Sequence, residues 1–575
     1  MAAECDQRAC RAKRAMTTRR VLLSLILISS FALGQMSSLD RIRAGLAEIE
    51  SSLISGSGKC GTPVIFEAIG RMDTAPAVVR TRFQAALQRP STEKNRLSPS
   101  ERFRIHYDTS SASPNLPAMI AGSSRVPDSH EEFVDSVAAI FDAVWEMEIG
   151  ELGYEAPPDD NGTGGGNEYD IYIEAQSPGT FGLTVWELAD SLESGARQRY
   201  PTYIIIDVDF LGERTPGIDG LRVTAAHEFH HAIQVGSYGI WLNVPASDFF
   251  FYELSAVWLE EVVFDEINDY YFDLDDFFVG FKDLSNRSYG FTHYAIWRGY
   301  ERCVWALFLE KKYGRDIVRQ VWDGMKRMPA LQSMDETLRQ QGSSLAASFA
   351  EFGSWNLFTG FRADTVLYYE EGRNFPVLSM NASAVFSGAT SVFNGIAIPL
   401  SLQYYRFELA GDTVIAVIAN TDVPNAYSNP SQSESFSVSL SSGTPQGGTQ
   451  KLKNGLTAGF IADVSGEWRT RYLGLPLNED LRQESFAAPN PLQLSKSDLL
   501  ILPVDNAPEG PAEVFFLTPS LDLAYSGTHT ITNRIGKSEV LVPTSTLRPH
   551  LSSGVHFIVL KTADRDYTWK VLVIR

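Results

Sequence analysis

His227, Glu228 and His231 stand in the run Thr224-Ala225-Ala226-His227-Glu228-Phe229-His230-His231-Ala232-Ile233. On a helix, His227 and His231 are four residues apart and project from one face, so both imidazoles can reach one tetrahedral ion. Zinc held this way brings the pKa of bound water toward ~7. A neighbouring carboxylate, here Glu228, can then take a proton as that water attacks a carbonyl, and pass it to the leaving amine. One catalytic Zn2+ is the expected cofactor, and peptide-bond hydrolysis the expected chemistry. Nine histidines occur in the chain, so such a pair also arises by chance and its surroundings must decide. Asp219 as N-cap, Gly236 as stop, and small or apolar residues at Val223, Ala225, Ala226, Phe229, Ala232 and Ile233 predict a helix buried almost all round. Four polar, ionisable side chains on such a helix are costly unless a cation compensates them.

Catalytic zinc needs a third protein ligand and an open position. Glu253, 22 residues past His231 on the next predicted helix, is the expected ligand. Glu260, seven residues further along the same face, either replaces it or hydrogen-bonds a ligand imidazole. Glu261, Asp265 and Asp269 extend the acidic neighbourhood, with Glu261 and Asp265 expected on a solvated face. His230 points away from the other two histidines and is expected to pack rather than ligate. A peptide oxyanion also needs a donor. Tyr289 and His293, four apart and next to Tyr294, are the candidates. The strand Tyr203–Val208 is either an edge that pairs with an extended peptide or a buried strand. The loop Asp159–Asn167 has oxygen donors and glycines for Ca2+ but lacks EF-hand spacing, and reads as a flexible turn sooner than as a calcium site.

These residues need a scaffold, and 575 residues exceed what one hydrophobic core usually serves. The expected class is α+β, with a zincin-like metalloprotease domain followed by two all-β sandwich-like domains. Residues 1–34 read as a signal peptide, because six basic side chains precede the apolar run Val21–Leu33, which is too short to span a bilayer. Residues 35–100 form a lead-in or pro-segment. In residues 101–375, Phe103–Tyr107, Tyr169–Glu174 and Tyr203–Val208 read as strands. Glu131–Met147, Leu221–Val235, Phe249–Phe264 and Thr292–Tyr313 read as helices. Residues 376–486 alternate as short strands, and residues 487–575 form a last β-rich unit. A net charge of -21 argues against nucleic acid as a partner. With Cys5 and Cys10 in the leader, Cys60 and Cys303 remain, too few for a disulfide scaffold or a zinc-cysteine cluster. The metal is therefore expected to use histidine and carboxylate.

The run from Phe103-Arg104-Ile105-His106-Tyr107 through Arg222–His231, Glu253 and Trp258-Leu259-Glu260 to Trp355-Asn356-Leu357-Phe358-Thr359-Gly360 resembles secreted bacterial metalloproteases of the gluzincin type. The resemblance implies His227, His231 and Glu253 as zinc ligands, and it departs at Val257, where an acidic residue is usual. A second resemblance joins Pro489-Asn490-Pro491, Asn533-Arg534-Ile535-Gly536, Ser553–Leu560 and Lys570–Arg575 to the C-terminal sorting domain of type IX secretion substrates. Together they imply a chain exported to the cell surface or beyond, with peptide or protein substrates and the export machinery as partners and no transmembrane anchor. The alternative is a non-catalytic exported binding or adhesion protein on a zincin-like scaffold.

Overall fold

The computed structural model describes residues 37–46, 58–72, 75–187, 196–242, 248–280, 286–292, 299–385, 390–409, 412–441, 455–464, 467–471, 489–504, 508–518, 523–534, 537–562 and 566–575. The signal-peptide expectation and His293 fall outside them. The fold is mixed α/β with several sheets. Its contacts group into two units, the first made of residues 1–244, 251–270 and 318–329, the second of the remainder.

The first unit is built on five strands: β1 (Lys94–Leu97), β2 (Phe103–Tyr107), β3 (Tyr169–Ile173), β4 (Gly182–Trp186) and β5 (Thr202–Ile206). Their order is β1-β2-β3-β5-β4; β2, β3 and β5 run parallel, while β1 and β4 run antiparallel at the two edges. Tyr-Asp-Ile-Tyr-Ile in β3 and Thr-Tyr-Ile-Ile-Ile in β5 are β-branched and aromatic, suiting strands covered on both faces, and every residue of the two is buried. The strand at Tyr203 is thus interior, flanked by β3 and β4, so it is not an edge strand; β4 is.

Helices α1 (Ser38–Leu46), α2 (Thr62–Met72) and α3 (Ala77–Ala86) precede the sheet, and α4 (His130–Trp145), α5 (Gly217–Ile233) and α6 (Phe249–Val263) complete the frame. Helix α4 buries Phe133, Val134, Val137, Ala138, Phe141 and Val144, a stripe at helical spacing that packs on β2 and α5. Helix α5 is buried over nearly its whole length and lies against β4 and β5. It begins after Pro216, so Asp219 sits in its first turn rather than at its cap. Gly236 does not stop it either: a π-helical turn, Gln234–Tyr238, follows directly, and Gly239 at φ 82° ends the run. At Gly182 a side chain is excluded, because a Cβ would stand 2.8 Å from Thr224 Cγ2 of α5 and 2.9 Å from the Ile205 carbonyl oxygen.

The second unit gathers helices around Phe291, Trp305, Phe308, Phe349 and Phe352. Cys303–Tyr313 is helical there, preceded by a 3-10 turn at Tyr300–Arg302. The strands of residues 382–471 form a five-stranded and a two-stranded sheet, whose inward side chains, including Phe407, Val414, Val438 and Phe460, meet in one core. The last strands make a single sheet of seven. Side chains from all seven, Leu492, Leu502, Val514, Ile531, Val540, Leu560 and Val571 among them, fill one core, so this sheet bends around it. Among the described residues no helix is long and apolar enough to cross a membrane.

Candidate metal centre

His227 and His231, one turn apart on α5, bring their Nε2 atoms to 3.1 Å from each other. Glu253 comes from α6 and places Oε2 3.4 Å from His227 Nε2 and Oε1 3.4 Å from His231 Nε2. Donor atoms bound ~2.0–2.2 Å from one tetrahedral ion stand ~3.3–3.6 Å apart, so this spacing suits a shared cation. Cys60 belongs to the same group: one donor atom from each of Cys60, His227, His231 and Glu253 lies within 4.8 Å of the others, and all four residues are buried. These four can hold a metal ion. A cysteine thus stands within reach of the histidine and carboxylate donors expected from the sequence.

The partners of the imidazoles fix their tautomers. His227 Nδ1 stands 2.7 Å from Glu260 Oε1, and a carboxylate only accepts, so Nδ1 carries the proton. His231 Nδ1 stands 2.7 Å from Gln234 Oε1, whose Nε2 donates to the Tyr252 carbonyl at 2.9 Å and to Ser255 Oγ at 3.1 Å. With Nδ1 engaged on both rings, each Nε2 faces the other ring and Glu253. Neither Glu253 oxygen makes a hydrogen bond of sound geometry, although the residue is 1 % exposed. Two imidazole nitrogens and a carboxylate converging in a dry interior need a cation, either a proton or a metal ion. Without a metal a proton takes the cation's place: burial opposes it, but Glu253 and Glu260 raise the His227 pKa to about 9, and the two imidazoles hold Glu253 well below the usual carboxylate range.

Glu228 lies beside this group, 1 % exposed. Its Oε2 accepts from Thr62 Oγ1 at 3.0 Å and from Thr184 Oγ1 at 2.8 Å. Behind His227, Glu260 Oε2 meets Lys59 Nζ at 2.5 Å, and Lys59 also meets Asp269 Oδ2 at 2.6 Å. Asp269 is further held by Arg214 Nη2 at 2.7 Å and Thr215 Oγ1 at 2.5 Å. Glu260 is thus the residue that orients an imidazole. Glu261 is buried rather than solvated, whereas Asp265 is exposed. His230 faces the other way, its Nδ1 3.0 Å from Glu148 Oε2. Burial raises the Glu148 pKa and lowers that of His230, favouring the uncharged form of each.

Tyr289, expected as an oxyanion donor, belongs to the second unit and is half-buried. In the loop expected to suit calcium, Asp159–Asn167, one of the two carboxylates is engaged: Asp160 pairs with Arg89 at 2.5 Å and accepts from the Gly162 amide at 3.0 Å. Arg89 also binds Asp170 and, at 2.7 Å, Glu187. Neither Cys60 nor Cys303 forms a disulfide. Sequence reasoning missed Lys59, Cys60, Thr62, Thr184 and Gln234. Gln234, three residues past His231, was open to the same helical-spacing argument as the histidines. Cys60 carried only the weaker signal of a thiol in a chain otherwise poor in them.

Comparison of the chain with protein families, curated proteins and solved structures gives no match in any of the three. The functional reading therefore stands on this geometry.

Proposed function

We propose that the chain is a zinc-dependent metallopeptidase of zincin-like fold, hydrolysing peptide bonds with Glu228 as general base. The observation that carries this is the convergence of His227 Nε2, His231 Nε2 and Glu253 beside the buried carboxylate of Glu228. Zn2+ held by the three residues would acidify water and polarise a carbonyl. The chain supplies the rest. Glu228, on the same helix as both imidazoles, takes the proton and returns it to the leaving amine. The hydroxyl of Thr184 steadies its carboxylate. Glu260 and Gln234 keep both imidazoles in the ligating tautomer. Strand β4, at the sheet edge against α5, would offer main-chain groups to an extended peptide once residues 59–62 leave them. Export, a surface location and a sorting role for the last domain complete the proposal and rest on the two sequence resemblances.

The fourth donor, Cys60, favours a second reading, because closed four-ligand sites are structural and catalytic ones keep a position open. On that reading the chain is a non-catalytic exported binding protein with a stabilising ion. Metal analysis and a casein-cleavage assay on Glu228→Gln separate the two. The expected result is about one zinc per chain in wild type and variant alike, with cleavage lost in the variant. Cleavage that survives unchanged would refute Glu228 as the base.

A further inference from the structure

Cys60 does not arrive at the metal group alone. Residues 59–61 lie along the outer edge of β4: the amides of Phe181 and Gly182 donate to the Lys59 carbonyl at 2.7 and 3.3 Å, and the Gly61 amide donates to the Gly182 carbonyl at 2.9 Å. Cys60 and Gly182 form a parallel bridge. Thr62 continues the pairing through its side chain, accepting from the Thr184 amide at 2.8 Å while donating to Glu228. Lys59 is tied to Glu260 and Asp269. Phe66, from α2, packs edge-on to the His231 ring at 6.4 Å and to Tyr252 at 4.7 Å. One short stretch ahead of the sheet thus engages the base, the metal group, the residue orienting His227 and the strand edge available to a peptide.

We propose that this stretch is a thiol latch: Cys60 Sγ is the fourth ligand beside His227, His231 and Glu253, and the segment bearing it keeps the site closed until Cys60 is withdrawn. The inference rests on the metallopeptidase reading above. The buried Glu253 oxygens, which make no well-formed hydrogen bond and lie 3.4 Å from the two imidazole Nε2 atoms, are an independent sign that an ion belongs there, so the thiol is not the sole witness. While Cys60 ligates, all four tetrahedral positions have protein donors. Glu228 is held by the Thr62 hydroxyl, and a peptide cannot pair with β4 where residues 59–61 already do. Withdrawing the thiolate, which takes up a proton from solvent as it leaves, frees one coordination position, the Glu228 carboxylate and the strand edge together.

The test compares the full-length chain with Cys60→Ala, with Cys60→Ser should alanine disturb packing, and with Cys303→Ala as control. Each is loaded with Co2+ for spectroscopy and with Zn2+ for assay. Wild type and Cys303→Ala should show a thiolate-to-cobalt charge-transfer band. Both Cys60 variants should lose the band yet keep their metal, and cleave casein about tenfold or more faster than wild type, since the competent fraction sets the observed rate. A metal-loaded wild type without the band overturns the ligation. Equal cleavage by wild type and the Cys60 variants overturns the latch and leaves the peptidase standing. Loss of the band with no cleavage by any variant overturns the peptidase reading, and the latch with it.

Discussion

Glu260 and Gln234 do the same work on two imidazoles with different chemistry. The first accepts from His227 Nδ1 as a carboxylate, itself neutralised by Lys59; the second accepts from His231 Nδ1 as an amide whose nitrogen is anchored to α6. Losing either partner frees a ring to rotate and change tautomer. Glu260→Gln and Gln234→Ala should each weaken metal binding by about 10–100-fold, as read by competition with a chromophoric chelator. Unchanged affinity in both variants would sink the assignment of ligating atoms. The histidine pair was legible in sequence because helical spacing alone puts both on one face, and Glu253 because an antiparallel return brings its face round. Cys60 was not, for its place depends on an edge pairing formed across more than a hundred residues, which no local pattern announces.

At the scale of elements, the closeness of α5 to β4 decides whether the site assembles. Gly182→Val would drive a side chain into Thr224 and the Ile205 carbonyl. It should destabilise the fold by about 1–3 kcal/mol through overpacking, measured by urea unfolding. Phe66→Ala removes the ring that covers His231 and Tyr252 and should cost about 3–5 kcal/mol, with a matching rise in susceptibility of residues 58–72 to proteolysis. Strands β2, β3 and β5 announced themselves by β-branched and aromatic runs, and α4 to α6 by their periodicity. Strand β4 escaped notice because Gly-Leu-Thr-Val-Trp is short and opens with glycine, which reads as a turn. The close of α5 was misplaced because its π-helical turn carries the chain past Gly236, and only Gly239 has the positive φ that ends it.

Across the whole molecule, buried ionisable groups set how stability follows pH. Asp248, in the second unit, is 6 % exposed, and burial pushes it up to about 7 against a hydrogen bond from the Ala330 amide at 3.1 Å. The folded chain therefore holds this proton where the unfolded chain, with an ordinary Asp pKa of ~3.9, has lost it. Its contribution to stability is full below ~4, declines as pH rises, and is lost above about 7. Asp248→Asn should flatten that decline and leave the protein more stable at pH ~8 by on the order of a few kcal/mol, as thermal unfolding across pH would show; an unaltered slope would contradict it. The β-rich character of the last two hundred residues was plain from alternation and turns. How the strands divide between sheets was not, because register and partner choice are settled by the shared core. The pairing of residues 59–62 with β4 has one more consequence. Gly-Leu-Thr-Val-Trp carries no charge, and its outward amides at Gly182 and Thr184 are capped by Lys59 and Thr62. Bared, it is a short sticky ribbon of the kind that recruits other chains. Protein stripped of its leading segment should clump over time in light-scattering measurements, and a short extended peptide added in excess should keep it dispersed.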